Sequence, residues 1–186
     1  MEEIKVGKYL SLEEFCTCTN TYKKYAGKID PFPKNPESMK AIEALNQFII
    51  DPIIDNFGRD KFRLTYGFCS PNLKRYLNQK DPITGKKNGR IEPRIDQHMA
   101  HEINRKGKYY CQRLGAACDC LIIGLETDKF IDWIISKKLP FDSLYFYSKT
   151  QPIHISYSPQ HKRDIWTFNS AQMPTKKGVE QWIISH

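Results

Sequence analysis

The chain has 186 residues, 40% of them apolar, 12% aromatic and 27% charged, the make-up of a globular domain with material for a core rather than of a disordered tail or a collagen. Its longest apolar runs, such as Leu121-Ile122-Ile123 and Trp133-Ile134-Ile135, are far too short to cross a bilayer as a helix, and the opening residues carry no apolar leader. Basic residues number 29 against 21 acidic ones, a net charge of +8, which permits an anionic partner such as nucleic acid, phospholipid or a wall polymer without requiring one.

Six cysteines (Cys16, Cys18, Cys69, Cys111, Cys118 and Cys120) lack the spacing of a disulfide-built mini-protein and, with no leader, are expected to be reduced in a cytoplasm. No repeat or low-complexity tract divides the chain, so one domain spanning residues 1–186 is expected. Ser11 caps a short helix over Leu12 to Phe15, with Glu14 as its capping-box partner. After Pro31 and Pro33, Asn35 caps a helix with Pro36 in its first turn and Met39, Ile42, Leu45 and Ile49 at helical spacing. Pro52 is expected to kink or end that helix, and Phe57-Gly58 to close it. Phe62 to Phe68 reads as a strand, and Ser70-Pro71 opens a helix carrying Leu73, Tyr76 and Leu77.

Residues 79–108 are polar and rich in turn signals, which predicts a surface excursion with a helical turn or two between Ile95 and Asn104. Strand, turn and strand are expected from Tyr109 to Ile123, then a helix capped by Thr127. Strands follow at Ser143–Tyr147, Pro152–Tyr157 and Asp164–Phe168, then a C-terminal helix with Val179, Trp182 and Ile183 inward. Helices early and antiparallel strands late predict an α+β fold, with N-terminal helices packed on a central antiparallel sheet.

Two segments concentrate chemistry. In Gln112 to Cys120, small residues surround one carboxylate, Asp119. In Gln151 to Tyr157, alternation puts His154 and Ser156 on one face and Ile153 and Ile155 on the other. An aspartate and a histidine on a common surface are the minimum for a proton relay or a metal site, although such pairs also serve as structural ion pairs. His98-x-x-His101 lies in the excursion and reads as two solvated loop histidines. The thiols of Cys118 and Cys120 alternate away from Asp119 and read as core residues. Lys86, Lys87, Arg90 and Arg94, then Arg105, Lys106 and Lys108 followed by Tyr109 and Tyr110, form a basic, aromatic-flanked tract suited to an anionic strand, or to plain solvation.

Ser11-Leu12-Glu13-Glu14-Phe15, Thr65-Tyr66-Gly67-Phe68-Cys69-Ser70-Pro71, the Gly115-x-Ala117-x-Asp119 register, Phe141-Asp142-Ser143-Leu144 and Ile153-His154-Ile155-Ser156 occur in this order. Together they resemble the D-Ala-D-Ala carboxypeptidase family of zinc peptidases, the hedgehog/DD-peptidase fold, close to its phage and bacterial wall-lytic branch. The resemblance implies zinc held by a histidine, an aspartate seven residues later and a second histidine. It also implies a glutamate base three residues before that second histidine, and an arginine clamp for substrate carboxylate. Asp119 and His154 keep their types, whereas Gln112 stands for the first histidine, Gln151 for the base and Cys69 for the arginine. The alternative start at Gln97-His98-Met99 is set aside because the residue seven beyond His98 is Arg105.

An amide oxygen is a poor zinc donor, Gln151 cannot take a proton, and a thiol cannot form a bidentate clamp. The resulting expectation is a catalytically degenerate DD-peptidase-fold protein with a binding or assembly role, in a cytoplasm or a virion. Its cleft would comprise Gln112, Asp119, His154 and Ser156, with no cofactor or weakly bound zinc, and with a peptide, wall polymer or assembly protein as partner. One alternative is an active zinc peptidase of wall peptides whose third ligand comes from His98, His101 or a cysteine. A second is a nucleic-acid-associated module using the basic tract.

Overall fold

The structure is a computed structural model and describes residues 4–89, 96–168 and 173–185. Arg90, Arg94 and Ile95 of the expected excursion therefore lie outside the described residues. Helix α1 (Leu12–Thr17) starts as expected, with Ser11 Oγ accepting from Glu14 N–H while the Glu14 carboxylate accepts from Ser11 N–H. Helix α2 (Asn20–Lys24) follows a Thr19 cap. Helix α3 (Pro36–Leu45) passes through a π turn (Asn46–Ile50) into α4 (Asp51–Phe57), which ends at Gly58 with φ +92°. Pro52 does not end this rod: it sits in the first turn of α4, just after the wider turn, where its missing N–H removes little.

The remaining elements are β1 (Phe62–Tyr66), α5 (Pro71–Leu77), β2 (Ala116–Ile122), α6 (Thr127–Ser136), β3 (Ser143–Phe146), β4 (Ile153–Tyr157), β5 (Asp164–Phe168), β6 (Pro174–Lys177) and α7 (Val179–Ser185). The strands form one six-stranded sheet in the order β1-β2-β4-β3-β5-β6. The fold is α+β as expected, but the sheet is mixed rather than antiparallel, because β3 and β5 run parallel. The turn after β4 crosses the start of β3, where Asp142 N–H donates to Ser156 O and Asp164 N–H to Asp142 O. That crossing starts β5 at the same end as β3, and the two must then run the same way.

The α3–α4 rod and α6 pack their apolar stripes on the sheet face that carries Cys118, Cys120, Ile153 and Ile155. Alternation then turns Asp119 and His154 to the opposite face. Trp182 of α7 is fully buried and donates to Asp132, but Ile183 is 61% exposed, contrary to its expected inward position. At 3.6 residues per turn, Val179 and Trp182 share the face packed on the core, and Ile183, one residue on, turns away from it. Among the described residues no helix is long and apolar enough to cross a membrane.

Residues 96–102 depart most from the expected surface excursion. Asp96, Gln97, His98, Met99, Ala100 and Glu102 are all buried. Polar side chains tolerate this because they are bonded. Glu102 accepts from Lys34 N–H, Asn35 N–H and Ser38 Oγ at 2.9–3.0 Å, which also places an anion at the start of α3. The Gln97 amide donates to Leu114 O (2.7 Å) and Asp142 Oδ2 (3.1 Å), and Asp142 is held in turn by Arg113 and Ser158. The segment is thus pinned against β3.

Gly115 opens β2 at φ +90°, where a Cβ would stand 2.1 Å from the Tyr157 carbonyl oxygen. Gly115→Ala combines a strained φ with a backbone clash, and is expected to destabilise by roughly 1–3 kcal/mol. A urea midpoint unchanged from the parent protein would contradict this account of the strand's start.

Candidate metal centre

Strands β2 and β4 pair with Asp119 directly opposite His154. Side chains of such a pair leave the sheet on the same face, close enough to interact. The third member comes from the buried turn before β2. His98 is fixed through its backbone, with Cys69 N–H donating to His98 O at 2.8 Å, and through its ring, where Nδ1 lies 2.8 Å from Gly67 O. The carbonyl of Gly67 can only accept, so His98 Nδ1 carries the hydrogen. Gly67 leaves room for this arrangement: a Cβ there would stand 2.0 Å from the Phe15 carbonyl oxygen.

His98 Nε2 is 3.2 Å from Asp119 Oδ1, His154 Nδ1 is 3.1 Å from the same oxygen, and the two nitrogens are 3.2 Å apart. The ring of Tyr66 packs edge-on against His98 at 4.5 Å, and Tyr145 stacks on His154 at 4.4 Å. Both imidazoles are buried, while the Asp119 side chain keeps 29% of its surface exposed. The group is therefore walled by aromatics on its histidine side and open to solvent on its carboxylate side.

With Nδ1 of His98 committed to Gly67, neutral His98 turns a lone pair towards a carboxylate oxygen. Two acceptors at that separation need a positive charge between them. One solution is a proton. Burial opposes the imidazolium, but the Asp119 charge outweighs it and raises His98 from 6.5 to about 9. Burial pushes Asp119 upward, yet the His98 charge and the hydrogen bond to His154 hold it well below the usual carboxylate range. Burial and the neighbouring His98 charge lower His154. Asp96, two residues before His98, adds its negative charge to both imidazoles.

The other solution is a metal ion. Four donors around zinc at bonds of roughly 2.0–2.1 Å stand about 3.3 Å from one another; the three here are 3.1–3.2 Å apart. Two imidazole nitrogens and one carboxylate oxygen are a zinc-type donor set. A backbone carbonyl already orients His98, and the open side leaves a position for a further ligand. The residues fit the ion, and they are the cluster of metal-ligating type found among the described residues.

Several sequence-based expectations need correction. Gln112 does not join the cleft: it is exposed in the turn before β2, and His98 occupies the third place beside Asp119 and His154. His98 is not a solvated loop residue, being 5% exposed. His101 remains outside the cluster, with its Nε2 accepting from Gly115 N–H at 3.0 Å. Gln151 is exposed just before β4, where its carbonyl accepts from Thr127 Oγ1. Cys69 is fully buried in a small cluster with Ile29, Leu73, Leu77 and Met99, and burial pushes its thiol up to about 12. Ser156 bonds Ser143, its Oγ accepting from Ser143 N–H at 3.0 Å, and so braces β3 against β4. Among the described residues no thiol joins the metal-type cluster.

His98 is missed by a search for closely spaced ligands because Asp119 follows it by 21 residues. The intervening loop leaves and returns at nearly one point: His101 bonds Gly115, and an Ile103–Tyr109 bridge closes the loop between them. Gln97-His98-Met99 followed by Gly115-x-Ala117-x-Asp119, with a hairpin allowed between, is the signal that would have found it. Comparison with protein-family models, curated proteins and solved structures gives no match.

In chelator-treated protein the raised His98 value contributes stability that is complete below pH 6.5 and lost as pH rises through about 9. The urea midpoint of metal-free protein is expected to fall over that interval, while zinc-saturated protein loses none. Parallel pH profiles for the two forms would contradict the shared-cation geometry.

Proposed function

We propose that this chain is a zinc-dependent hydrolase of peptide substrates, of the D-Ala-D-Ala carboxypeptidase kind that its sequence resembles, with His98, Asp119 and His154 as the metal ligands. What supports this reading above all is the convergence of two imidazole nitrogens and a carboxylate oxygen within 3.2 Å, at a point where neutral His98 has no hydrogen left to give. Structural zinc sites close with four protein ligands, whereas catalytic ones keep three and an open position. Zinc held there would polarise a carbonyl oxygen and make water acidic enough to attack near neutral pH.

The chain's own residues supply the rest. Gly67 fixes the His98 tautomer, the β2–β4 register aims Asp119 and His154 at one point, and Tyr66 and Tyr145 shut water away from the imidazoles. Gln97, through Leu114 and Asp142, ties the two ends of the inserted loop to the sheet and so holds His98 at its distance.

A second reading, a cleft that holds peptide or wall polymer without cutting it in an assembly role, draws on two departures from the family pattern. Gln151 cannot act as a base, and Cys69 is buried where a carboxylate clamp would stand.

Protein purified without chelator is expected to retain about one zinc per chain through dialysis and to cleave wall muropeptides. His98→Ala is expected to lower zinc affinity by more than about 100-fold, since even outer partners of a ligand are worth roughly 10–100-fold. Zinc retention without cleavage of any wall peptide would favour the holding role. Failure to retain zinc would overturn the hydrolase.

A further inference from the structure

We infer that the open edge of β1 is a peptide-binding edge, on which an extended acidic peptide adds as an antiparallel strand leading to the metal cluster. The inference rests on the hydrolase reading for its purpose but on separate atoms for its geometry. Among the described residues β1 is the outermost strand at its end of the sheet. Ile123 N–H donates to Lys61 O in the register that pairs Phe62 with Ile122, Arg63 with Leu121 and Leu64 with Cys120. Hydrogen-bonded pairs alternate along an antiparallel ladder. Arg63 therefore bonds β2, whereas Phe62 and Leu64 turn their backbone groups outward. Phe62 N–H donates to Gly58 O, and its carbonyl accepts from Arg59. In that register Leu64 N–H and C=O face away from β2, and neither bonds another element among the described residues; the register shifts just beyond, between Leu64 and Tyr66.

The unbonded pair lies between two cavities. One, of about 460 Å³, is lined by Cys18, Thr19, Thr21, Leu64, Thr65 and Tyr66. The other, of about 230 Å³, is lined by Glu14, Cys18, Lys23, Arg59, Arg63 and Leu64. Cys18 and Leu64 line both, so the two cavities lie on either side of these residues. At the near end, Tyr66 touches His98, and Thr65 Oγ1 donates to the Asp119 carbonyl oxygen at 3.1 Å. An added strand that exchanges two hydrogen bonds with Leu64 therefore points its chain at the cluster.

The charges define the occupant. Among the described residues the near cavity is lined by neutral side chains. In the far one Arg59 is paired with Glu14 at 2.9 Å, whereas Lys23 and Arg63 have no ionic partner among the described residues. A carboxylate side chain is what that end takes, with small neutral residues between it and the cluster. Main-chain bonding supplies affinity in strand addition and the alternating pockets supply selectivity.

The probe is acetyl-Ala-Ala-Glu-Ala-Ala-amide, added to the full chain in the presence of a chelator, so that neither zinc nor turnover enters the result. At saturation the Leu64 amide is expected to exchange its hydrogen at least about tenfold more slowly, while the Arg63 amide, already bonded to β2, is unchanged. Lys23→Glu with Arg63→Glu, both surface changes, is expected to weaken binding by at least about tenfold, as is glutamine in place of the peptide's glutamate. Saturable binding without protection of Leu64, or no binding at millimolar peptide, would overturn the inference. Either result leaves zinc retention, and the hydrolase reading with it, to be judged on its own test.

Discussion

Hydrogen-bond acceptors repel unless a proton or a metal stands between them, and the arrangement around Asp119 is governed by that constraint. His98 gives its one hydrogen to Gly67, and its remaining nitrogen meets a carboxylate oxygen and the second imidazole at about bonding distance from a common centre. Removing this cluster from water is costly, because two imidazoles and a carboxylate lose solvation together. The fold therefore has to hold them in place by other means, and much of its buried polar architecture serves that end.

Those means are three rigid connections. The β2–β4 ladder sets Asp119 opposite His154. The turn at Gly67, pressed against α1 so closely that no side chain fits, supplies the carbonyl that orients His98. The Asp142 carboxylate gathers Gln97, Arg113 and Ser158, joining the buried 96–102 segment and both ends of the loop before β2 to the start of β3. A buried ion pair such as Arg113–Asp142 adds little net stability over apolar packing. Its position explains it better than its energy does: it fixes where the histidine-bearing turn lies.

Local pattern carried much of this. The Ser11 cap, the apolar stripe of α3 and the limits of β5 follow from side-chain spacing alone, and alternation about Asp119 and His154 placed both on the face away from the core. What local pattern cannot carry is the order of strands across the sheet. The parallel β3–β5 pair depends on a turn that crosses β3, and the four residues of β6, Pro-Thr-Lys-Lys, show no apolar alternation. His98 was hidden for a related reason. Polarity and turn residues mark 79–108 as surface, yet Gln97 and Glu102 are buried with their hydrogen bonds satisfied by distant partners, and a loop separates His98 from the aspartate it meets. Side-chain type suggested the chemistry, but only the return of the chain at His101 and Gly115 brought the third donor to it.

Crystals grown with zinc and measured at the zinc absorption edge test the central claim most directly. The account predicts one strong anomalous peak about 2.0–2.2 Å from His98 Nε2, Asp119 Oδ1 and His154 Nδ1. A peak seated instead on the cysteines or at Gln112, or no peak beside Asp119 at all, would contradict it.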